Sequence, residues 1–213
     1  MDKSLKIEII QIAKKELKDN DKSHDIYHAL RVLKNVELIS KTENCDLDIL
    51  IPAALFHDVI CYPKDSINSK FSSCESADKA VEILRGLEKY PKEKLKYVHN
   101  SIKECSFKGK IKPNLIESKI LQDADRLEAT GTIAIMRAFA SAGSMGSYLY
   151  NFEDPFCEKR KPDSLNYALD LFFNRLLIVK DKMNTETAKI IAEKRTEIIL
   201  KFINSFKEEI NYF

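Results

Sequence analysis

Apolar residues recur along the chain at spacings of three and four, the period of an amphipathic helix, and strict alternation of the strand type is scarce. The pattern predicts an all-α chain with helices at about 3–18, 25–41, 46–60, 73–88, 91–104, 114–128, 130–140, 163–181 and 185–210. In the last of these, Ala188, Ile191, Arg195, Ile198, Phe202 and Phe206 share one face, and Lys189, Glu193, Lys194, Glu197 and Lys201 mostly cover the others. Asn184 or Thr185 can cap its first turn, where Glu186 suits the positive end of the dipole. Pro91 and Pro113 stand where helices begin, and there a missing N–H costs nothing. Two stretches resist a helical reading: the polar, turn-rich residues 61–72, and residues 141–162 with Gly143, Gly146, Pro155 and Pro162. Loops of that length tend to be functional or mobile.

The 213 residues suit one domain over 1–213, with core motifs within 20–130 and a helical extension at 163–213. Such a length buries a core without disulfides. Hydrophobic residues make up 44% and charged residues 32%, which excludes global disorder. The longest apolar run, residues 49–56, contains Pro52 and is far short of the ~20 residues of a membrane span. The first residues alternate charge with apolar positions and show no secretory h-region, so a cytosolic protein is expected. Cys45, Cys61, Cys74, Cys105 and Cys157 form an odd, scattered set without C-x-x-C, read as reduced thiols. A net charge of +2 gives no basic stripe to attract nucleic acid or an anionic membrane. Association with a second copy of the chain stays open.

No glycine lies in G-x-G-x-x-G or a P-loop, so candidate chemistry starts from the four histidines, His24, His28, His57 and His99. His57 and Asp58 end the helix carrying Leu47, Leu50, Ile51, Ala54 and Leu55, and the 47–51–54–58 stripe turns Asp58 toward the core. A carboxylate there needs a proton, a basic partner or a metal. His28 lies in the preceding helix beside Val32 and Ile39, across a short connection, so the two helices are antiparallel neighbours and His28 comes level with His57. Two imidazoles and a carboxylate suit a borderline divalent cation. A fourth ligand can come from Asp123 or Asp125, which are about 200° apart around a helix, and periodicity does not choose between them.

The ordered set His28-x-x-Arg31-Val32, Ala53-x-Leu55-Phe56-His57-Asp58 and Gln122-Asp123-Ala124-Asp125-Arg126-Leu127-Glu128-Ala129 resembles the HD-domain superfamily of metal-dependent phosphohydrolases. Stand-alone bacterial members are similar also in PKDS after the His-Asp pair, in ILQDADRLEATGTIAIMRAFA and in EDPFCEKRKPDSLNYALDLFF. The resemblance implies a helical bundle of the HD type and the metal ligands His28, His57, Asp58 and Asp125, leaving Asp123 a supporting role. Relatives often carry two more histidines where this chain has Asn100 and Cys105, which implies a single ion and leaves Asn100 for substrate. His99, rotated ~100° from that position, does not replace them.

The remaining candidates each have a plainer reading. His24 is a further ligand, a substrate group or part of a helix cap near Ser23. His57 and Cys61 at i, i+4 lack the second pair of a closed zinc site. Lys64, Arg126, Arg137 and Arg160 are candidate phosphate contacts or ordinary surface and ion-pair residues, with Lys64 favoured because its loop follows Asp58. The implied mechanism is attack on phosphorus by a metal-activated water, with Asp58 or Asp65 accepting its proton and Lys64 and one arginine offsetting charge. The metal expected is manganese, with magnesium, iron, cobalt, nickel or zinc as alternatives, and the substrate expected is a nucleotide or related phosphate ester. A regulatory module that holds a nucleotide without turnover is the competing reading.

Overall fold

The computed structural model describes residues 1–18, 24–62, 66–105 and 112–210. The chain is all-α: no strand occurs among the described residues, and the nearest approach to one is an isolated parallel bridge between Tyr148 and Tyr167. No helix among them is long and apolar enough to cross a membrane. All five cysteines are free thiols. Two compact units are formed, Met1–Asp125 and Arg126–Phe213.

The first unit comprises α1 (Lys3–Glu16), α2 (Ile26–Ile39), α3 (Leu47–Phe56), α4 (Ser72–Gly86), α5 (Leu95–Cys105) and most of α6 (Ile116–Arg126). At its centre is α3, which packs against α1, α2, α4 and α5. Every residue from Ile49 to Phe56 is buried, so α3 has no polar face, as befits a central helix. Fully burying each of its Leu, Ile and Phe side chains contributes about 1.5–3 kcal/mol. Pro52 inside α3 removes the N–H that would bond the Asp48 carbonyl. The Tyr90 hydroxyl replaces it, donating to Asp48 O at 2.8 Å. Burial, then the nearby Asp48 and Asp46, push the Tyr90 hydroxyl well above the usual phenol range, so it remains a donor.

The expected helix over 46–60 ends at Phe56, because the His57 ring and Ser76 take over the next backbone groups. His57 Nδ1 donates to Ala54 O at 2.9 Å, Ile60 N donates to Ser76 Oγ at 3.0 Å, and Ser76 Oγ donates to Ile60 O at 3.1 Å.

The second unit holds α7 (Gly131–Met145) and the 25-residue α8 (Glu186–Ile210). Its core contains Ala134, Ala138, Leu169, Phe172, Leu176, Ile199 and Ile203, with the Phe139, Phe172 and Phe202 rings 5.6–5.9 Å apart. The expected end of α7 near 140 moves to Met145, where Gly146 in the left-handed region (φ 71°) closes the helix. Thr185 caps α8 as one of the two expected residues, its Oγ1 accepting from Ala188 N at 3.4 Å. Of the expected face of α8, Ala188, Phe202 and Phe206 pack inward while Ile198 is exposed, and the buried line runs through Ala188, Ala192, Thr196, Ile199 and Ile203.

The expected helix over 163–181 is broken into turns, a π-helical turn Phe172–Leu176 and a 3-10 turn Val179–Lys182. The reason is Asp170, whose buried carboxylate draws in the Asp163 amide and both terminal nitrogens of Arg160. Asp154 gathers the amides of Glu158, Lys159 and Arg160, so residues 147–162 form an ordered loop.

Two outcomes test these packing arguments. Tyr90→Phe orphans the Asp48 carbonyl and should cost about 1 kcal/mol by urea denaturation, and an unchanged midpoint would refute the replacement. Gly131 holds φ +67°, and a Cβ there would lie 3.2 Å from Arg195 Cβ. Gly131→Ala should therefore cost at least ~1–2 kcal/mol, and a neutral effect would contradict the assigned strain.

Candidate metal centre

Each expected ligand in the first unit stands at a helix end. Asp25, in extended backbone, caps α2, and its carboxylate accepts the His28 amide at 2.9 Å. His28 thus occupies the first turn, with its side chain 2% exposed. His57 is the C-cap of α3, and Asp58 follows it into the turn. Because Ala54 O can only accept, His57 Nδ1 carries hydrogen and the ring turns its Nε2 toward the cluster. Asp125 lies in the last turn of α6, directly after Ala124, whose carbonyl accepts from Asn35 Nδ2 of α2 at 3.0 Å.

These groups converge. His28 Nε2 and His57 Nε2 are 3.3 Å apart. Asp58 Oδ2 lies 3.4 Å from His57 Nε2 and 3.6 Å from His28 Nε2, and Asp125 Oδ1 lies 3.9 and 3.6 Å from the same two atoms. The ligand atoms of His28, His57 and Asp125 all lie within 4.8 Å of one another. Bonds of about 2.1 Å to a shared ion would place neighbouring ligand atoms about 3.0–3.4 Å apart. Of the observed spacings, 3.3 and 3.4 Å fall within that range, and 3.6 and 3.9 Å exceed it by up to about half an ångström. A proton on one imidazole satisfies one contact, whereas a cation in the middle satisfies all of them. The imidazoles are buried and the carboxylates about one-third exposed (31% and 35%), so the centre is dry on one side and open on the other. That is the form of a site with a free coordination position. Burial pushes the Asp58 carboxyl up, but the neighbouring His57, His28 and His24 imidazoles outweigh it and hold it well below the usual carboxylate range. Two imidazoles and two carboxylates fit a borderline divalent ion.

The other expected residues are distributed differently. His24 joins the rim: its Nε2 is 3.9 Å from Asp58 Oδ2, and its ring meets His28 edge-on at 5.9 Å. Ser23, its suggested capping neighbour, lies outside the described residues, as do Lys64 and Asp65, and Asp25 is the cap observed. Asn100 lines a groove between α4 and α5 with Arg85, Lys92, Lys96 and His99, a groove that none of the four metal-site residues lines. His99 pairs with Asp78 at 3.1 Å. Cys61 Sγ contacts the Tyr62 carbonyl at 3.9 Å and does not join the His28–His57–Asp125 group. Asp123 is fully buried, consistent with a supporting role.

In the second unit, Arg126 donates to Lys182 O and Arg137 meets Glu128 at 3.4 Å. Arg160 is engaged on every side: by Asp170, by the Asp154 carbonyl and by the Tyr167 ring 5.0 Å away. Asp170 raises the Arg160 guanidinium further above its already high range, as befits a loop anchor. Sequence reasoning missed Asn35, although an amide seven residues from His28 on the buried stripe of α2 was a visible signal.

The HD domain family model matches residues 25–130, which span every member of this cluster except His24. YpgQ of Bacillus subtilis, described as uncharacterized, is 36% identical over 199 residues, 91% of this chain and 88% of the relative. An HD-superfamily hydrolase from Bacillus thuringiensis has a similar structure, with a TM-score of 0.75, 32% identity and coverage of 99% of this chain and 98% of that one. The structure of Bacillus subtilis YpgQ in complex with ADP gives a TM-score of 0.72 at 32% identity, covering 97% and 95% of the two chains. With the motif order, the helical fold and these relatives in agreement, the chain belongs to the HD-domain superfamily.

Proposed function

We propose that the chain is a metal-dependent phosphohydrolase that cleaves a nucleotide or related phosphate ester with water, its ion held by His28, His57, Asp58 and Asp125. The observation that carries this reading is two buried imidazoles 3.3 Å apart, each approached at 3.4–3.9 Å by the partly exposed carboxylates of Asp58 and Asp125. A divalent ion bound there supplies a water of lowered pKa and polarises a phosphoryl oxygen. Among the chain's own groups, Asp58 holds two roles. Its Oδ2 faces both imidazoles, and its exposed side can accept a proton from the attacking water. His24, 3.9 Å from that carboxylate, stands on the open side where a phosphate oxygen would be oriented. Lys64 and Asp65 are proposed from sequence alone as a phosphate contact and an alternative base. Arg126, Arg137, Arg160 and Asn100 are secondary candidates for substrate contact from sequence alone, and against two of them stand the commitment of Arg160 to its own loop and the place of Asn100 in a groove that the metal-site residues do not line. No protein nucleophile is needed, and burial together with Asp170 pushes the Cys157 thiol up to about 11, so it stays protonated at neutral pH.

The ADP complex of Bacillus subtilis YpgQ supports a nucleotide ligand here. Manganese is the proposed ion and the cytosol, with its reduced thiols, the proposed compartment. The same ADP complex is what the non-catalytic regulatory reading would draw on. It would prevail if ADP bound this chain while no phosphate ester turned over with any divalent ion.

Two measurements test the reading. Mn2+ at a hundred times its dissociation constant should stabilise the folded chain by about 2.7 kcal/mol, read as a rise in Tm. A Tm indifferent to manganese, magnesium, cobalt and nickel counts against the centre. His57→Ala and Asp58→Ala should each abolish that rise and lower turnover of nucleotides and phosphate esters at least ~100-fold, far-UV circular dichroism staying unchanged. Full turnover by either variant would overturn the assignment.

A further inference from the structure

The run His24-Asp25-Ile26-Tyr27-His28 contains one acidic residue to which the chemistry above gives no part. Asp25 is the N-cap of α2, with extended backbone (φ −81°, ψ 178°). Its carbonyl accepts the first intrahelical bond, from Ala29 N at 3.2 Å, and its Oδ1 accepts the His28 amide at 2.9 Å. That amide belongs to the first turn, whose N–H groups have no partner within the helix. The residue whose backbone the cap seizes is the one whose imidazole sits 3.3 Å from His57 and 3.6 Å from both Asp58 and Asp125. On the other side of the cap, His24 approaches the same Asp58 oxygen. The backbone of Asp25 is therefore the pivot between two imidazoles that converge on one carboxylate.

We infer that Asp25 is a positioning residue for the metal centre: by holding the His28 amide it fixes where His28 Nε2 lies. The inference rests on the reading of His28 as a ligand. Ligand atoms must sit within about 0.2 Å of their bonding distances, which a frayed first turn cannot guarantee. An ordinary cap stabilises its helix wherever it occurs. A positioning cap also changes metal affinity, and that difference makes the two roles separable.

The experiment is titration calorimetry of Mn2+ into the full chain, with thermal unfolding of the metal-free protein beside it. Asp25→Ala should weaken Mn2+ binding about 10- to 100-fold. Asp25→Gly should weaken it as strongly with little loss of Tm, since glycine is tolerated at a cap but offers no side-chain acceptor. Asp25→Asn, which keeps the acceptor, should bind within about threefold of the parent. Asp2→Ala removes a cap of the same kind from α1, where Asp2 accepts from Ser4 N at 2.9 Å and Leu5 N at 3.1 Å. It should lower Tm and leave Mn2+ affinity unchanged. Parental affinity in Asp25→Ala or Asp25→Gly, equal weakening in Asp2→Ala, or no rescue by Asn each overturns the positioning role. His28→Ala is the reference for the underlying reading. If it binds Mn2+ like the parent, the ligand assignment falls and this inference falls with it.

Discussion

Two imidazole Nε2 atoms lie 3.3 Å apart, and each lies 3.4–3.9 Å from one oxygen of Asp58 and one of Asp125. His57 Nδ1 is engaged with the Ala54 carbonyl, so Nε2 is the ring nitrogen that faces the cluster. Ionised carboxylates offer only acceptors. The arrangement therefore favours a positive charge at its centre, and the packing of the first unit holds the four side chains around that point. Gathering several acceptors in one partly buried place is costly, and a positive charge among them offsets that cost.

The side chains that create this demand come from the ends of three helices rather than from their middles. A helix end has backbone groups left over, and in each case a side chain closes it: Asp25 at the start of α2, the His57 ring at the end of α3, and Asn35 on the Ala124 carbonyl near the end of α6. Termination and ligand placement are thus the same local event. The helix bodies supply a different service. In α3, buried on all sides, the defect made by Pro52 is mended by Tyr90, so the strut leading to His57 stays intact despite a helix-breaking residue.

Much of this was legible in the chain. The 3.6-residue period located the helices, since amphipathic repetition survives tertiary packing, and the ordered His, His-Asp and Asp motifs singled out the residues that the fold brings together. The errors lie where side chains override periodicity. Asp170 breaks the helix expected at 163–181 by recruiting Arg160 and the Asp163 amide. The His57 ring stops α3 four residues early by bonding within its own turn. On α8, periodicity gave the right helix and part of its face: Phe202 and Phe206 pack on the core as expected, while Ile198 is exposed and the buried line takes in Ala192, Thr196 and Ile199. None of these is a property of spacing. Each depends on a partner far enough away, or a rotamer specific enough, to escape a linear pattern.

Building the centre from helix tips has an evolutionary corollary. The tips can be held by a handful of short polar bonds while the shafts between them exchange one greasy residue for another. Substitutions in the shafts then drift almost freely, provided total volume is kept. A chain and a relative that agree at only 32% of positions can on this account still superpose with a TM-score of 0.75. What divergence cannot touch cheaply is the small set of polar residues at which each shaft comes to an end.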